Sequence, residues 1–236
     1  MKKILYMQNY AIESPERRAE VDRCIQNNLA LGFDDFVLFN ENIPETFASR
    51  NVRNIALSRR LAFQDFLQQV SLPQNHGALH VLCNSDICLH ESIFKLDNKL
   101  KLYEAVCLSR HEPAAQGTTL TPNPFASQDT WGLVGCDIPT GLLCQTNFSL
   151  GLPGCENRFA ELLGAYGYSH LNPCKDILST HIHQNHQGMD DNKRLYGSYA
   201  FVFPCAFDDP SDRPNVQYAY WMRGAPIRLT FRVSFD

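Results

Sequence analysis

Short apolar runs alternate with segments of helical spacing along the first half of the chain, and this alternation constrains the fold most. Four runs have the length and apolar character of buried strands, namely KILYM (3–7), DFVLF (35–39), GALHVLC (77–83) and YEAVCLS (103–109). Between them, a Ser14-Pro15 start precedes a helical pattern that ends at Gly32, and a second helix is predicted from near Ser58 to Val70. This order predicts an α/β, Rossmann-like fold with a mainly parallel central sheet flanked by helices.

The remaining segments are less regular. The polar residues after KILYM, QNYAIE, are predicted as a loop, as is the Asn- and Arg-rich stretch before Ser58. Residues 91–102 indicate a short helical or mixed stretch, and 111–130 a long loop. Residues 130–144 suggest short strands around a turn. A helix follows at 155–166, and β segments resume near Tyr196.

Composition excludes several classes of protein. The length of 236 residues fits one domain, and a net charge of -4 gives no basic field for nucleic acid. No stretch approaches the roughly 20 apolar residues of a transmembrane segment. The first residues lack the features of a signal peptide, so we expect a cytoplasmic protein. Nine cysteines without a C-x-x-C pair indicate reduced thiols rather than a disulfide framework.

The run GALHVLC is followed at once by Asn84, Ser85 and Asp86, with no basic residue within three positions of Asp86. These residues favour turns in any protein. Alternatively, Asp86 holds Mg²⁺ or Mn²⁺, which take one or two protein carboxylates and fill their other positions with phosphate oxygens and water. Polar residues at the carboxyl end of a strand in an α/β sheet are typical of ligand sites.

A second candidate is LPGCENRFAELL (152–163), in which Gly154 allows a tight turn and Glu156 starts a helix. Acidic residues are favoured in first turns because of the helix dipole. The functional interpretation makes Glu156 a general base that a substrate hydroxyl can approach.

Four further segments have candidate binding residues. THIH places His181 and His183 two apart, either as surface histidines or as ligands that complete a metal site begun by Asp86. In SQDTWG, Trp131 fits a core position or, with Asp129, the wall of a sugar site. The pairs Arg59-Arg60 and Arg110-His111 are solvated cations or phosphate contacts.

Taken in order, the Asn84-Ser85-Asp86 strand end, SQDTWG, LGLPGCENRFAELLGAYGY and NPCKDILSTHIH resemble the GT-A class of nucleotide-sugar-dependent glycosyltransferases. The likeness extends to about Tyr196. In that class a short acidic motif binds the metal on the donor diphosphate, and Asn84 stands here in place of its first acid. The resemblance implies Asp86, with His183 or His181, as ligands of Mn²⁺ or Mg²⁺, and Glu156 as the catalytic base.

The resemblance also implies a division of the chain. Residues 1–196 would form a GT-A-like domain, with a donor-binding half at about 1–110 and an acceptor-binding half at about 111–196. Residues 197–236 would form a β-rich extension packed on the same domain.

The remaining residue roles are implied in the same way. The donor, a nucleoside diphosphate sugar, would contact Gln8, Asn9, Tyr10, Arg59, Asn84, Ser85 and Asp86. The acceptor, a saccharide or another hydroxyl compound, would contact Trp131, Gly154 and Asn157, with Asp129 beside Glu156 as a catalytic group. Two alternatives stay open at this stage: a sugar nucleotidyltransferase and a non-catalytic module that binds a nucleotide sugar or carbohydrate.

Overall fold

The computed structural model describes residues 1–44, 47, 49–182, 191–209, 211–212, 215–222 and 225–233. The strands are β1 Lys3–Tyr10, β2 Asp35–Glu41, β3 Val52–Leu57, β4 Leu79–Cys83, β5 Ile87–Leu89, β6 Glu104–Ser109, β7 His111–Pro113, β8 Thr118–Leu120, β9 Gln128–Val134, β10 Ser169–Leu171, β11 Ser179–His181, β12 Gly197–Val202, β13 Val216–Met222 and β14 Ala225–Val233. The α-helices are α1 Pro15–Ala30, α2 Phe63–Val70, α3 Thr140–Gln145 and α4 Cys155–Ala165.

Seven strands form the central sheet in the order β10-β6-β9-β4-β1-β2-β3. Four neighbouring pairs are parallel, whereas β9 is antiparallel to both β4 and β6. The α/β prediction is therefore confirmed, and the mainly parallel sheet is confirmed in part. No helical crossover joins β6 to β9. The chain leaves the sheet at the carboxyl end of β6 and forms β7 and β8. It re-enters the sheet at that same end, so β9 runs in the opposite direction.

Helices cover both faces of this sheet. Along β1, successive side chains point to opposite faces. Tyr6 packs edge-on against Phe66 of α2, with ring centroids 5.2 Å apart, whereas Met7 belongs to the buried cluster that includes Ile25 of α1. A strand buried on both faces explains why the first run contains apolar residues at consecutive positions.

The two best-marked helices begin where the sequence predicts. The Ser14 hydroxyl accepts a hydrogen bond from the backbone N–H of Arg17 at 3.2 Å, and Pro15 occupies the first turn of α1. Gly154 precedes α4 in a left-handed conformation, with φ of +79°. That conformation favours glycine, and it turns the chain sharply into the helix.

Several local predictions were wrong. Gln8, Asn9 and Tyr10 continue β1 instead of forming a loop, because they pair in register with Asn40 and its neighbours in β2. The polar stretch before Ser58 contains β3, an edge strand whose exposed side explains its polar residues. Helix α2 starts at Phe63.

The segment from 111 to 144 also differs from its prediction. The expected loop contains β7 and β8 and the first residues of β9. Residues 140–145 are helical, not extended. Short apolar runs do not distinguish a strand from a one-sided helix, and within α3 only Leu142 is buried.

Two smaller sheets complete the fold. One has the order β5-β11-β7-β8. The other, β12-β13-β14, is antiparallel and forms the β-rich C-terminal part that the sequence predicts. Strand β12 contributes Ala200 and Val202 to the same buried cluster as Phe159 of α4. No helix among the described residues has the length and apolar character needed to cross a membrane.

Candidate active site

A cavity of about 530 Å³ lies beyond one end of the strands of the central sheet. The carboxyl ends of β1, β4 and β6 meet there, as expected for parallel strands. Because β9 runs in the opposite direction, its first residues lie at the same edge. The sequence-predicted residues in the cavity wall are Gln8, Tyr10, Asn84, Ser85, Asp86, Asp129, Glu156 and His181. The others in the wall are Ile12, Ser14, Glu16, Arg17, Glu20, Arg60, Arg110, Leu150 and Gly151.

Asp86 is neutralised by residues far away in the sequence. Nη2 of Arg17 lies 2.7 Å from its Oδ2, and Nε2 of His181 lies 3.3 Å from the same oxygen. Helix α1 follows β1, so its first turn brings Arg17 to this edge of the sheet. Burial alone would raise the pKa of Asp86, but His181 and Arg17 together lower it below its usual range. Asp86 is therefore ionised at neutral pH.

His181 reaches Asp86 through strand pairing. Strand β5 begins directly after Asp86 and pairs with β11, where His181 lies opposite Ile87. Nδ1 of His181 lies 3.4 Å from a carboxylate oxygen of Glu112. Burial disfavours the charged ring, yet the hydrogen bond to Asp86 and the charge of Asp86 raise the pKa of His181. Its neighbour His183 lies outside the described residues.

Asp129 is held from two sides at the start of β9. The Asn84 amide donates to its Oδ1 at 2.6 Å, and Nη1 of Arg110 donates to its Oδ2 at 3.0 Å. Burial raises the pKa of Asp129, although Arg110 opposes the shift. Ser85 is similarly engaged, because its hydroxyl donates to the carbonyl oxygen of Gln8 at 2.8 Å. These hydrogen bonds hold the ends of β1, β4, β6 and β9 together around the cavity.

Glu156 contributes a buried carboxyl from the first turn of α4. Burial raises its pKa to about 7, with the charge of Asp129 adding to the shift. Its own backbone amide, Arg110 and Arg194 oppose the shift without cancelling it. A carboxyl with this pKa exchanges a proton near neutral pH, which is the property required of a general acid or base.

The two adjacent arginines at 59 and 60 differ in position. Arg59 makes a bidentate ion pair with Asp65, with Nη1 2.7 Å from Oδ2 and Nη2 2.8 Å from Oδ1. Arg59 does not line the cavity. Arg60 does line it. The predicted donor contact at Arg59 is therefore displaced by one residue. Asp65 caps α2 by accepting from the backbone N–H of Ala62, which draws Arg59 toward the helix.

Four other predicted residues lie outside the cavity wall. The Asn9 side chain is buried and donates to Asn40 at 3.3 Å. The Trp131 ring packs edge-on against Phe63 in the core, with centroids 4.9 Å apart, so the predicted acceptor wall at Trp131 is wrong. Gly154 shapes the entry to α4.

Asn157, predicted to bind the acceptor, has a structural partner instead. Its amide donates to the carbonyl oxygens of Phe125 and Ala200, each at 3.0 Å. The side chain is buried and connects α4 to β12. Asn157 therefore does not line the cavity.

The most important residue that the sequence interpretation missed is Arg17. Its signal was present, because the Ser14 cap predicts a helix that starts just after β1, and the first turn of such a helix lies at the carboxyl edge of the sheet. Arg110, named from the sequence as a possible phosphate contact, lies in the cavity wall directly after β6. Its ion pair with Asp129, 19 residues further along the chain, depends on a contact that sequence spacing does not encode.

The described residues of the cavity can be compared with the ligands that the implied Mn²⁺ or Mg²⁺ site requires. Among the described residues, no group of three or more His, Cys, Asp or Glu side chains is placed to hold a metal ion. Asp86 is paired with Arg17 at 2.7 Å and with His181 at 3.3 Å, so a metal at Asp86 would have to displace these partners. The described residues therefore offer Asp86 and His181 to the implied Mn²⁺ or Mg²⁺ site only in exchange for these ion pairs, and His183 lies outside the described residues.

Comparisons with known proteins give matches to this chain among solved structures. No protein-family model matches it, and no curated protein matches its sequence. Among solved structures, HddC from Yersinia pseudotuberculosis is similar at 9% identity and a TM-score of 0.41, over 64% of this chain and 84% of that chain. HddC complexed with GMP-PN is similar at 10% identity and a TM-score of 0.36, over 57% and 77%. At this level of likeness, the activity has to be inferred from the cavity itself.

Proposed function

We propose that this protein is a glycosyltransferase that moves a sugar from a nucleoside diphosphate sugar to an acceptor hydroxyl. One observation carries the proposal: Glu156 is buried in the cavity wall with a pKa of about 7. A base with that pKa accepts a proton effectively at neutral pH. Arginines in the same wall support a phosphorylated donor, because guanidinium groups bind phosphate oxygens in pairs.

In the proposed reaction, ionised Glu156 takes the proton of the acceptor hydroxyl. The acceptor oxygen bonds to the anomeric carbon of the donor sugar, and the bond from that carbon to the diphosphate oxygen breaks. The nucleoside diphosphate leaves with the electron pair of that bond. By analogy with glycoside hydrolysis, the transition state has oxocarbenium character.

The cavity also explains how the carboxylates can keep separate roles. Asp86 is ionised and engaged by Arg17 and His181, whereas Asp129 is engaged by Asn84 and Arg110. Burial raises the pKa of Glu156 to about 7. Two or more carboxyl groups with different environments are a recurring arrangement in acid–base catalysis.

Metal dependence remains a prediction from the family resemblance. The described residues offer the implied ligands only in exchange for ion pairs, so none of the steps above passes through a metal. Binding of Mn²⁺ or Mg²⁺ is measurable by calorimetry in the presence and absence of a nucleoside diphosphate.

The proposal is tested by replacing Glu156 with Gln. We expect Glu156→Gln to lower turnover by about 10²- to 10⁴-fold, because the base is lost while the shape is kept. Release of nucleoside diphosphate from a panel of nucleotide sugars and saccharide acceptors measures this. In the wild type, turnover should rise with pH through about 7, since Glu156 acts in its ionised form.

Glu161→Gln is the matched control, because Glu161 lies on the same helix, pairs with Arg158 and does not line the cavity. Its turnover should equal that of the wild type. If the wild type binds nucleotide sugars but transfers none to any acceptor, the non-catalytic binding module is correct instead. If it releases pyrophosphate from a nucleoside triphosphate and a sugar phosphate, it is a nucleotidyltransferase.

A further inference from the structure

Three arginines line the cavity, but two of them are already neutralised. Arg17 binds Asp86 at 2.7 Å, and Arg110 binds Asp129 at 3.0 Å. Each also binds a glutamate, at 3.1 Å for Arg17 with Glu20 and at 2.7 Å for Arg110 with Glu112. Arg60 differs from them, because among the described residues no carboxylate pairs with its guanidinium. The positive charge of Arg60 is therefore available to a ligand.

The position of Arg60 is determined by the loop that precedes α4. The next residue, Leu61, accepts a hydrogen bond from the backbone N–H of Leu150 at 2.9 Å, which holds the two segments side by side. The guanidinium then rests against Gly151, where a Cβ would lie only 2.6 Å from Nη2. Gly151 has φ of +73°, a conformation that also favours glycine. The lack of a side chain at Gly151 therefore leaves room for Arg60.

We propose that Arg60 neutralises the diphosphate of the donor in the role that the family resemblance gives to a divalent cation, so that the donor binds without metal. This inference rests on the proposed function and adds the residue that binds the phosphates. A guanidinium offers parallel N–H donors that match two phosphate oxygens, and it stays charged at every working pH. As the bond between the anomeric carbon and the diphosphate oxygen breaks, Arg60 stabilises the negative charge that develops on the leaving diphosphate.

The test uses the full chain with pyrophosphate and with uridine, guanosine and adenosine diphosphates as probes. Calorimetry measures their affinity in EDTA and again with excess Mn²⁺. The variants are Arg60→Met, Arg60→Lys and Arg59→Met. Arg59→Met is the matched control, because Arg59 is adjacent in sequence but pairs with Asp65 outside the cavity. Thermal melts confirm that each variant is folded.

We expect pyrophosphate and at least one nucleoside diphosphate to bind equally well in EDTA and in Mn²⁺. Arg60→Met should weaken binding by about tenfold to a hundredfold, the range for loss of hydrogen bonds to a charged group. Arg60→Lys should lie between Arg60→Met and the wild type, and Arg59→Met should match the wild type.

Binding that requires Mn²⁺ would overturn this inference alone and would leave the glycosyltransferase proposal standing. Equal affinities for Arg60→Met and Arg59→Met would also overturn it alone. If no probe binds under either condition, both the inference and the proposed donor are overturned. Metal-free binding through Arg60 without any sugar transfer would count against the proposed function and not against the role of Arg60.

Discussion

At the scale of single residues, burial and pairing give each carboxyl of the cavity a different character. Asp86 is held ionised by Arg17 and His181, and Glu156 is buried near Asp129. The same residue type therefore provides a permanent negative charge at one position and an exchangeable proton at another. This division depends on environment, since the free side chains have similar pKa values.

The raised pKa of Glu156 predicts a stability effect that is separate from catalysis. The folded state binds the proton more tightly than the unfolded state does, so this stabilisation is present below the ordinary glutamate pKa of 4.5 and is lost as pH rises through about 7. Glu156→Gln cannot ionise. We expect its stability relative to the wild type to increase by about 3 kcal/mol between pH 4 and pH 8.

Urea unfolding of both proteins at pH 4, 6 and 8 measures this difference. A difference that stays constant with pH would show that Glu156 has an ordinary pKa. That result would remove the main support for its role as a base.

At the scale of elements, strand β9 explains why two neighbouring candidates have different roles. Asp129 and Trp131 are two residues apart, and the pairing of β9 with β6 shifts at Asp129, which lies between the paired residues Gln128 and Thr130. Asp129 lies at the strand end, where the cavity begins. Trp131 lies one step further in, beneath Phe63 and Phe159. Asp129 therefore lines the cavity and Trp131 lies in the core because the two residues lie at different depths along β9.

This position predicts the effects of two substitutions. Trp131→Ala should lower the free energy of unfolding by about 3–5 kcal/mol, because it leaves a large cavity in the core. Trp131→Phe should cost less, since Nε1 of Trp131 has no hydrogen-bond partner among the described residues. Chemical unfolding measures both. The acceptor KM of Trp131→Phe should equal that of the wild type, and a raised KM with unchanged stability would restore the acceptor-wall interpretation.

At the scale of the whole molecule, the C-terminal sheet supports the helix that carries Glu156. Strand β12 packs on α4, and Asn157 bonds to the backbone of both β12 and the segment before β9. Glu156 and Asn157 are consecutive residues that face the cavity and the C-terminal sheet respectively. Docking of this sheet therefore helps to position the proposed base.

Asn157→Ala tests this coupling. It leaves two backbone carbonyls without their donor, which should cost about 1–3 kcal/mol. We expect faster amide hydrogen exchange in residues 197–202, whereas exchange in β1 should change only through global unfolding. Turnover should fall together with the protection of β12. Unchanged exchange in 197–202 would show that Asn157 does not hold the C-terminal sheet.

Prediction from sequence succeeded where the physics is local. The Ser14 cap with Pro15, the glycine before α4 and the apolar runs of β1 and β4 each identify an element from a few adjacent residues. It failed at β3 and α3, where polar composition or a short apolar run fits more than one structure. The cavity itself was predictable in part, because polar residues follow the carboxyl ends of parallel strands.

The partners of those polar residues depend on the tertiary structure. Sequence alone determined that Asp86 follows a buried strand and that Glu156 starts a helix, because both facts depend on neighbours along the chain. Only the folded chain brings Arg17 and His181 to Asp86, buries Trp131 and places Arg60 rather than Arg59 in the cavity. These outcomes require contacts between distant segments, and the energies of such contacts arise only when the sheet, its helices and the reversed strand β9 pack together.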